Sequence, residues 1–376
     1  MSVYLDNAAT TKPCPEAVAA VLDAVTENFG NPSSLHRAGL NAQLAVDRAR
    51  KIIADSIGAD SGEIYFTSGA TESNNLALRG AIGAYGKRKH KIIISSVEHA
   101  SVEETALALE KQGFEVVRVS PRDDGQFYVE DFLESCDGNT CIISMMLVNN
   151  ETGHILPVGE TFKSVKRRFP EIITHCDCVQ GYMKIPVRAG SLCADMVSLS
   201  GHKVHAVKGV GVLYIKKGVR VIPEVTGGHQ EKGIRSGTES VPLISAFGSA
   251  VEKYAATISE RFEKVSGLKK YLLERLAEID GITVNSPENA SPYVVNVSAG
   301  GKRSEIMLHF LEQKEIYVSS GSACSKGQKS GVLEQFGIKG RSADSAIRIS
   351  MTSETTKNEL EAFADALREG IEKIRG

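Results

Sequence analysis

The sequence predicts an α/β protein: a seven-stranded, mostly parallel sheet in a large domain, covered by helices on both faces, plus a smaller α+β C-terminal domain. Three observations carry this expectation. Short apolar runs alternate with helical stretches from about residue 60 to residue 215, the pattern of a parallel sheet with crossover helices. That alternation stops near residue 240 and gives way to a long amphipathic periodicity beginning at Tyr254. At 376 residues, the chain is long enough for two domains with a sizeable core.

The elements follow in order. Ile64–Thr67 reads as a strand, and Ser68–Asn75 opens a helix that runs to about Ala84. Lys91–Ser95 is a strand and Val102–Gln112 a helix; Glu115–Val119 and Thr140–Met145 are strands on either side of a polar helix at Val129–Ser135. A helix at Thr161–Phe169 precedes strands at Ile172–Asp177, Met196–Ser200 and Gly211–Ile215. From Tyr254, apolar residues fall at 254, 258, 262, 265, 268, 272, 276 and 279. Steps of three and four sustained this long predict one long helix, ended by Asp280-Gly281 and suited to connect two domains. Beyond it come strands near Ile282–Asn285, Tyr293–Val297 and Ile316–Ser319, with a helix at Ser304–Lys314. A last helix carries Leu360, Phe363, Leu367, Ile371 and Ile374, with Thr356 and Glu359 spaced as a capping box.

Composition narrows the function classes. Hydrophobic residues at 42% and charged residues at 24% are ordinary for a soluble globular chain. Lys+Arg 44 against Asp+Glu 46 leaves a net charge of −2, so nothing points to a nucleic-acid or acidic-membrane partner. No apolar run approaches the roughly 18 residues of a membrane span. The opening Met-Ser-Val-Tyr-Leu-Asp-Asn lacks the basic and apolar regions of a secretory signal. Seven cysteines, an odd number, argue for reduced thiols in a cytoplasmic setting.

Several stretches have the right residue types for chemistry. The run Met196–Leu199 stops at Ser200-Gly201, with His202 and Lys203 next. A lysine held where a core strand ends at a glycine turn is well sited for a Schiff base, which needs a partly desolvated, neutral amine; a lone lysine there is more often a surface residue. Ser68-Gly69-Ala70-Thr71-Glu72 joins a strand to a helix, where free N–H groups and the helix dipole favour a phosphate, although many such turns use Gly and Thr for turn chemistry alone. Asp177 ends a strand with Gln180 three residues on, at the edge where open α/β sheets bind ligands. On that strand Cys176 and Cys178 point one way and His175 the other, so no tetrahedral metal set forms locally and buried structural thiols are expected. His99 follows a strand end and suits either stacking on an aromatic ligand or capping the next helix. Cys324 lies in Ser-Ser-Gly-Ser-Ala-Cys-Ser-Lys-Gly (319–327), near Lys326 and Lys329, which favour a thiolate. The residues alone leave nucleophile and incidental thiol equally open.

Together these stretches resemble, in order from end to end, the pyridoxal-phosphate-dependent cysteine desulfurases of the class-V aminotransferase family, in their group I branch. The matching segments are Tyr-Leu-Asp-Asn-Ala-Ala-Thr-Thr (4–11), Gly-Asn-Pro-Ser-Ser-Leu-His (30–36), Phe-Thr-Ser-Gly-Ala-Thr-Glu-Ser-Asn-Asn (66–75) and Glu-His-Ala-Ser (98–101). They continue with Val-Asn-Asn-Glu-Thr-Gly (148–153), His-Cys-Asp-Cys-Val-Gln-Gly (175–181), Ser-Gly-His-Lys (200–203), Arg-Ser-Gly-Thr-Glu (235–239) and Ser-Ser-Gly-Ser-Ala-Cys (319–324). The resemblance implies a fold type I pyridoxal-phosphate enzyme with a large cofactor-binding domain at 14–255. Residues 1–13 with 256–376 would form the small domain carrying the catalytic-cysteine loop.

The resemblance also implies roles. Lys203 would hold pyridoxal 5′-phosphate covalently and shuttle the substrate Cα proton. Asp177 would pair with the ring nitrogen, His99 would stack on the ring and Gln180 would hydrogen-bond its phenolic oxygen. Ala70, Thr71, Ser200 and His202 would hold the phosphate, joined by Thr238 from the partner subunit of a homodimer. Asn150 and Arg348 would bind the carboxylate of L-cysteine. Cys324 would take the sulfur as a persulfide and release alanine; no metal site is implied beyond transient iron–sulfur ligation by Cys324. The persulfide would pass to an acceptor such as an iron–sulfur scaffold or a tRNA-thiolation protein. Selenocysteine or another β-substituted amino acid as substrate is the neighbouring reading, and a catalytically weak sulfur carrier or assembly subunit the more distant one. Three departures from the family pattern bear on sulfur delivery more than on cofactor binding. They are Ser-Lys-Gly-Gln-Lys-Ser-Gly after Cys324, Thr352-Ser353 after Arg348, and His229 before Arg235.

Overall fold

The structure, a computed structural model, describes residues 2–320 and 331–374. In chain order its elements begin with β1 (Val3–Tyr4), α1 (Pro15–Thr26), α2 (Arg37–Ile57), β2 (Ile64–Thr67), α3 (Ala70–Tyr85), β3 (Lys91–Ser95) and α4 (Ala100–Glu110). Next are β4 (Glu115–Val119), α5 (Val129–Ser135), β5 (Thr140–Met146), α6 (Val158–Arg168), β6 (Ile173–Asp177), β7 (Met196–Ser200), β8 (Gly211–Ile215) and α7 (Val241–Ala255). The remainder comprises α8 (Ile258–Ala277), β9 (Ile282–Val284), β10 (Val294–Ala299), α9 (Ser304–Glu312), β11 (Ile316–Tyr317), β12 (Ser319–Ser320), α10 (Gly331–Gln335), α11 (Arg341–Asp344), β13 (Ala346–Ser350) and α12 (Lys357–Lys373).

Among the described residues, the seven strands expected between residues 64 and 215 form one sheet, ordered β2-β8-β7-β6-β5-β3-β4. β8 runs antiparallel to both its neighbours, and every other pairing is parallel. Because successive side chains alternate between faces, each strand feeds two cores. Ile93, Ile143, Cys176, Val197 and Val212 face the helices α2, α6 and α7. Ile92, Ile94, Ile142, Met196 and Leu213 face α3 and α4. Six strands end at one edge, and β8, running the other way, begins there.

Two features of this region are absent from the sequence reading. Helices α1 and α2 fill residues 15–57, before the first sheet strand. α2 lies so close to α7 that a Cβ on Gly248 would meet Ala49 Cα at 2.8 Å, a contact only glycine permits. The long helix expected from Tyr254 is two helices: Tyr254 belongs to α7, and α8 begins at Ile258 after Ala256 and Thr257. Tyr254 and Ile258 keep a four-residue spacing across the break, so the apolar periodicity passes through it undisturbed.

The C-terminal elements form a separate core in which Leu268, Leu272, Val295, Ile349, Phe363 and Leu367 are buried. Its sheet, ordered β12-β13-β10-β9, is antiparallel. The chain start joins it: β1 pairs with β11, Val3 and Leu5 enter this core, and Asp6 bridges to Ser350. The expected capping box is present on α12, with Glu359 N donating to Thr356 Oγ1 at 3.3 Å and Thr356 N to Glu359 Oε2 at 2.8 Å. This arrangement brings residues 6–9, the ends of the large sheet's strands, and β13 together in one place.

Candidate active site

A cavity of about 610 Å³ opens at that meeting point. Its lining comes from the turns at the common edge of the large sheet: Ser68–Glu72 after β2, His99 after β3, Asn150 after β5, Asp177 and Gln180 at β6, Ser200–Lys203 after β7, and Gly209-Val210 before β8. Ala8, Ala9, Ser319 and Arg348 close it from the chain's other core. Carboxyl ends of parallel strands are where open α/β sheets take ligands, because the chain leaves each strand there with free backbone groups and adaptable loops.

Lys203 sits in a short 3₁₀ turn that follows β7. Its Nζ donates to the carbonyls of Ala8 at 2.5 Å and Ala9 at 2.7 Å. Burial, then the nearby Arg348 guanidinium, lowers its pKa to about 8, against the opposing pull of Asp6 and Asp177. At pH 7 roughly one amine in ten is then neutral, against roughly one in three thousand for an ordinary lysine. The Schiff-base requirement is met by placement.

Asp177 is buried at the end of β6, where Asn74 Nδ2 donates to Oδ2 at 2.8 Å and the Val179 N–H to Oδ1 at 3.0 Å. His99 caps α4: the Ser101 N–H donates to its Nδ1 at 3.1 Å, and Ser101 Oγ lies 2.8 Å away. The capping reading of this histidine is borne out, and the residue also lines the cavity. Its ring surface is exposed into the opening while protein fills most of the volume around it, so desolvation still lowers its pKa.

The first helical N–H groups of α3, at Ala70 and Thr71, have no intrahelical acceptor and open on the cavity. The turn is held by Glu72, whose carboxylate accepts from the Ser68 N–H at 2.7 Å and pairs with Arg235 at 2.8 Å. Gly211 is the neighbour that allows this turn: a Cβ there would meet Gly69 Cα at 2.7 Å. His202 contacts Thr10 Oγ1 at 3.2 Å, and burial lowers its pKa to about 4, so at neutral pH it is a neutral hydrogen-bonding group. Backbone N–H groups, the start of a helix, Ser200 and the cationic Lys208 together make a cradle for a phosphate.

Arg348 on β13 donates from Nη2 to Asp6 Oδ1 at 2.8 Å and from Nη1 to the Asn150 carbonyl at 3.1 Å. Its Nε is buried without a partner among the described residues, and the side chain lines the cavity. The expected residues Ala70, Thr71, His99, Asn150, Asp177, Gln180, Ser200, His202, Lys203 and Arg348 thus share one cavity. Thr238 is exposed and does not line it. Cys324 lies outside the described residues, although Ser319, five positions earlier, is in the lining.

The expected structural role of the strand thiols agrees with the geometry. Cys176 and Cys178 are buried with sulfurs 3.4 Å apart, while His175 turns the other way to Ser144 and Ser198. No cluster of metal-ligating side chains occurs among the described residues. The sequence reading missed Asp6, Glu98 and Lys184. Glu98 is buried, takes the Met146 N–H at 2.7 Å and the Ser95 hydroxyl, and burial lifts its pKa to about 8. For Glu98 and Asp6 a signal was available, since both lie in the quoted segments, Glu98 directly before His99.

Pyridoxal phosphate can be tested against these residues. It needs an amine, an acid opposite a ring nitrogen, an anion cradle and a flat ring neighbour; Lys203, Asp177, the start of α3 and His99 offer all four around one cavity. The residues fit the group.

Comparison with known proteins agrees. The model of the family described as aminotransferase class-V matches residues 3–363. A cysteine desulfurase of Trichormus azollae is 39% identical over 377 residues, covering 99% of this chain and 94% of its own. Cysteine desulfurase IscS of Methanosarcina thermophila is 38% identical, covering 100% and 93%. Among solved structures, a NifS-like protein superposes with a TM-score of 0.94 at 35% identity over 100% of both chains. The apo cysteine desulfurase of Thermococcus onnurineus NA1 superposes with a TM-score of 0.89 at 25% identity, covering 99% and 95%.

Proposed function

The chain belongs to the class-V aminotransferase family, and from that premise we propose that it is a pyridoxal-phosphate-dependent cysteine desulfurase. It converts L-cysteine to L-alanine and carries the sulfur as a persulfide on Cys324 to an acceptor protein. The carrying observation is the convergence of Lys203, Asp177, His99, Gln180 and the start of α3 on a single cavity.

When bound, pyridoxal phosphate supplies an electron sink for the bonds broken at the substrate. The protein's residues do the rest. Lys203 Nζ would hold the cofactor and would take and return the substrate's Cα proton; an amine of pKa about 8 exchanges protons readily near neutral pH. Asp177, fixed by Asn74 and the Val179 N–H, would pair with the ring nitrogen and keep a proton on it. His99 would stack on the ring, and Gln180 would hydrogen-bond its phenolic oxygen. Ala70, Thr71, Ser200 and His202 would hold the phosphate. Arg348, aligned by Asp6 and the Asn150 carbonyl, fixes the substrate carboxylate with Asn150. The Cys324 thiolate forms an S–S bond to the substrate sulfur as the C–S bond breaks; that bond's electron pair stays with the carbon that becomes the methyl group of alanine.

A homodimer completing the phosphate site with Thr238 is part of this proposal. It is supported by Thr238 being exposed outside its own cavity and by the exposed apolar side chains Leu22, Phe29, Leu35 and Leu40 on and between α1 and α2. The C-terminal core, separate from those on the two faces of the large sheet, supports the division into 14–255 and 1–13 with 256–376. A cytoplasmic setting and an iron–sulfur scaffold or tRNA-thiolation acceptor remain with the proposal. The experiment is the visible spectrum of protein purified with pyridoxal phosphate, together with alanine production from L-cysteine in the presence of a thiol. A yellow protein that forms alanine is expected. A colourless protein with Lys203 unmodified refutes the cofactor assignment, and a yellow protein forming no alanine refutes the reaction.

A further inference from the structure

Lys184 is a lysine buried to 6% exposure, and no carboxylate pairs with it among the described residues. Taking an amine out of water without a counter-ion is costly, so its partners carry information. Its Nζ donates to Gln180 Oε1 at 2.7 Å. Gln180 Nε2 in turn donates to the Ala8 carbonyl at 2.9 Å, the same oxygen that accepts from Lys203 at 2.5 Å. One hydrogen-bond chain therefore runs Lys184, Gln180, Ala8, Lys203. On its other side Lys184 faces the Tyr293 ring at 5.9 Å and a void of about 10 Å³, room for roughly one water.

We propose that Lys184 is a positioning residue of the site: by donating to Gln180 Oε1 it fixes the amide so that Nε2 is the atom offered toward Ala8 and the cavity. The physical basis is the near-symmetry of the amide group. The oxygen and nitrogen ends of glutamine are alike in size, so partners decide which end points where. The Ala8 carbonyl accepts only, but it is already shared with Lys203. When Gln180 turns its donor to a ligand oxygen, the contact from Lys184 is what keeps the amide from inverting. Burial, with the charges of Lys203 and Arg348, lowers the Lys184 pKa to about 7, which accords with an amine kept for its hydrogen bond rather than for an ion pair.

This inference rests on the proposed cofactor reading, and its test separates the two. Pyridoxal phosphate is titrated into the wild type, Lys184→Met, Gln180→Ala and the double variant, with circular dichroism to verify folding and the visible band recorded for each. Wild-type protein that binds no cofactor overturns the cofactor reading itself. Given wild-type binding, Lys184→Met is expected to weaken affinity about tenfold and to move the band as Gln180→Ala does. In the Gln180→Ala background, Lys184→Met should cost no more than about a further twofold. Lys184→Gln, which keeps a donor on a shorter stem, should restore affinity to within about threefold of wild type. An unmoved band and affinity in Lys184→Met, or an undiminished loss in the Gln180→Ala background, overturns the inference. Should Lys184→Met not fold, a folded Lys184→Gln that loses tenfold in affinity does the same.

Discussion

Glu98 and Lys203 show how burial sets chemistry at single residues, in opposite senses. Removal from water lowers the Lys203 pKa to about 8 and raises that of Glu98 to about 8, because in each case it is the charged form that loses hydration. For Lys203 this provides neutral amine at neutral pH. For Glu98 it means a protonated carboxyl tying the end of β3 to the end of β5 through Ser95 and Met146, one residue before His99. The consequence for stability has a definite sign. The folded protein keeps this proton up to about pH 8, whereas the unfolded chain releases it near 4.5. The favourable contribution of Glu98 is therefore complete below pH 4.5 and is lost as pH rises toward 8, at up to about 1 kcal/mol per pH unit. Glu98→Gln keeps the accepting oxygen and has nothing to ionise. Thermal denaturation should show a smaller fall in Tm between pH 5 and pH 8 for Glu98→Gln than for wild type; equal falls would contradict the assignment of a protonated Glu98.

Among the elements, the strand ends form the site, and spacing there is enforced by small residues. A side chain on Gly211 would overlap Gly69 Cα at 2.7 Å and its carbonyl carbon at 2.6 Å, pushing β8 against the turn that starts α3. Gly211→Val is expected to weaken pyridoxal phosphate binding at least tenfold, read by spectroscopic titration, because the cradle donors move with that turn. Affinity within twofold of wild type would show that the turn is not part of the cradle. Strand ends were legible in the sequence for a physical reason. Each buried strand is a short apolar run, and each site residue lies within a few positions of its end, so Asp177, Lys203 and the Ser68–Thr71 turn announce themselves locally. Helices α1 and α2 carry no such punctuation, since neither follows a strand of the large sheet. The break at Ala256-Thr257 preserved the apolar spacing and so left no trace. Lys184 was hidden because its meaning lies in a buried contact with Gln180, whereas a lysine in a turn ordinarily reads as exposed.

Over the whole molecule, both ends of the chain return to the same cavity. Residues 3–9 leave the C-terminal core, place Asp6 against Arg348 and deliver the Ala8 and Ala9 carbonyls to Lys203. The large sheet supplies the residues suited to the cofactor, while β13 supplies the arginine suited to the substrate carboxylate. Contacts across more than 190 residues of sequence, such as Lys203 with Ala8, left no local pattern to read, so only the resemblance connected these segments in advance. The same resemblance assigns sulfur chemistry to Cys324, beyond the cofactor site proper. The most direct test is mass spectrometry of cofactor-loaded protein mixed with one equivalent of L-cysteine and no added thiol, with alanine counted in the same sample. One sulfur atom added at Cys324 and one alanine per sulfur are expected, with neither formed by Cys324→Ala. Alanine formed at the wild-type rate by Cys324→Ala, or a wild-type protein bearing no added sulfur at Cys324, would contradict the proposal.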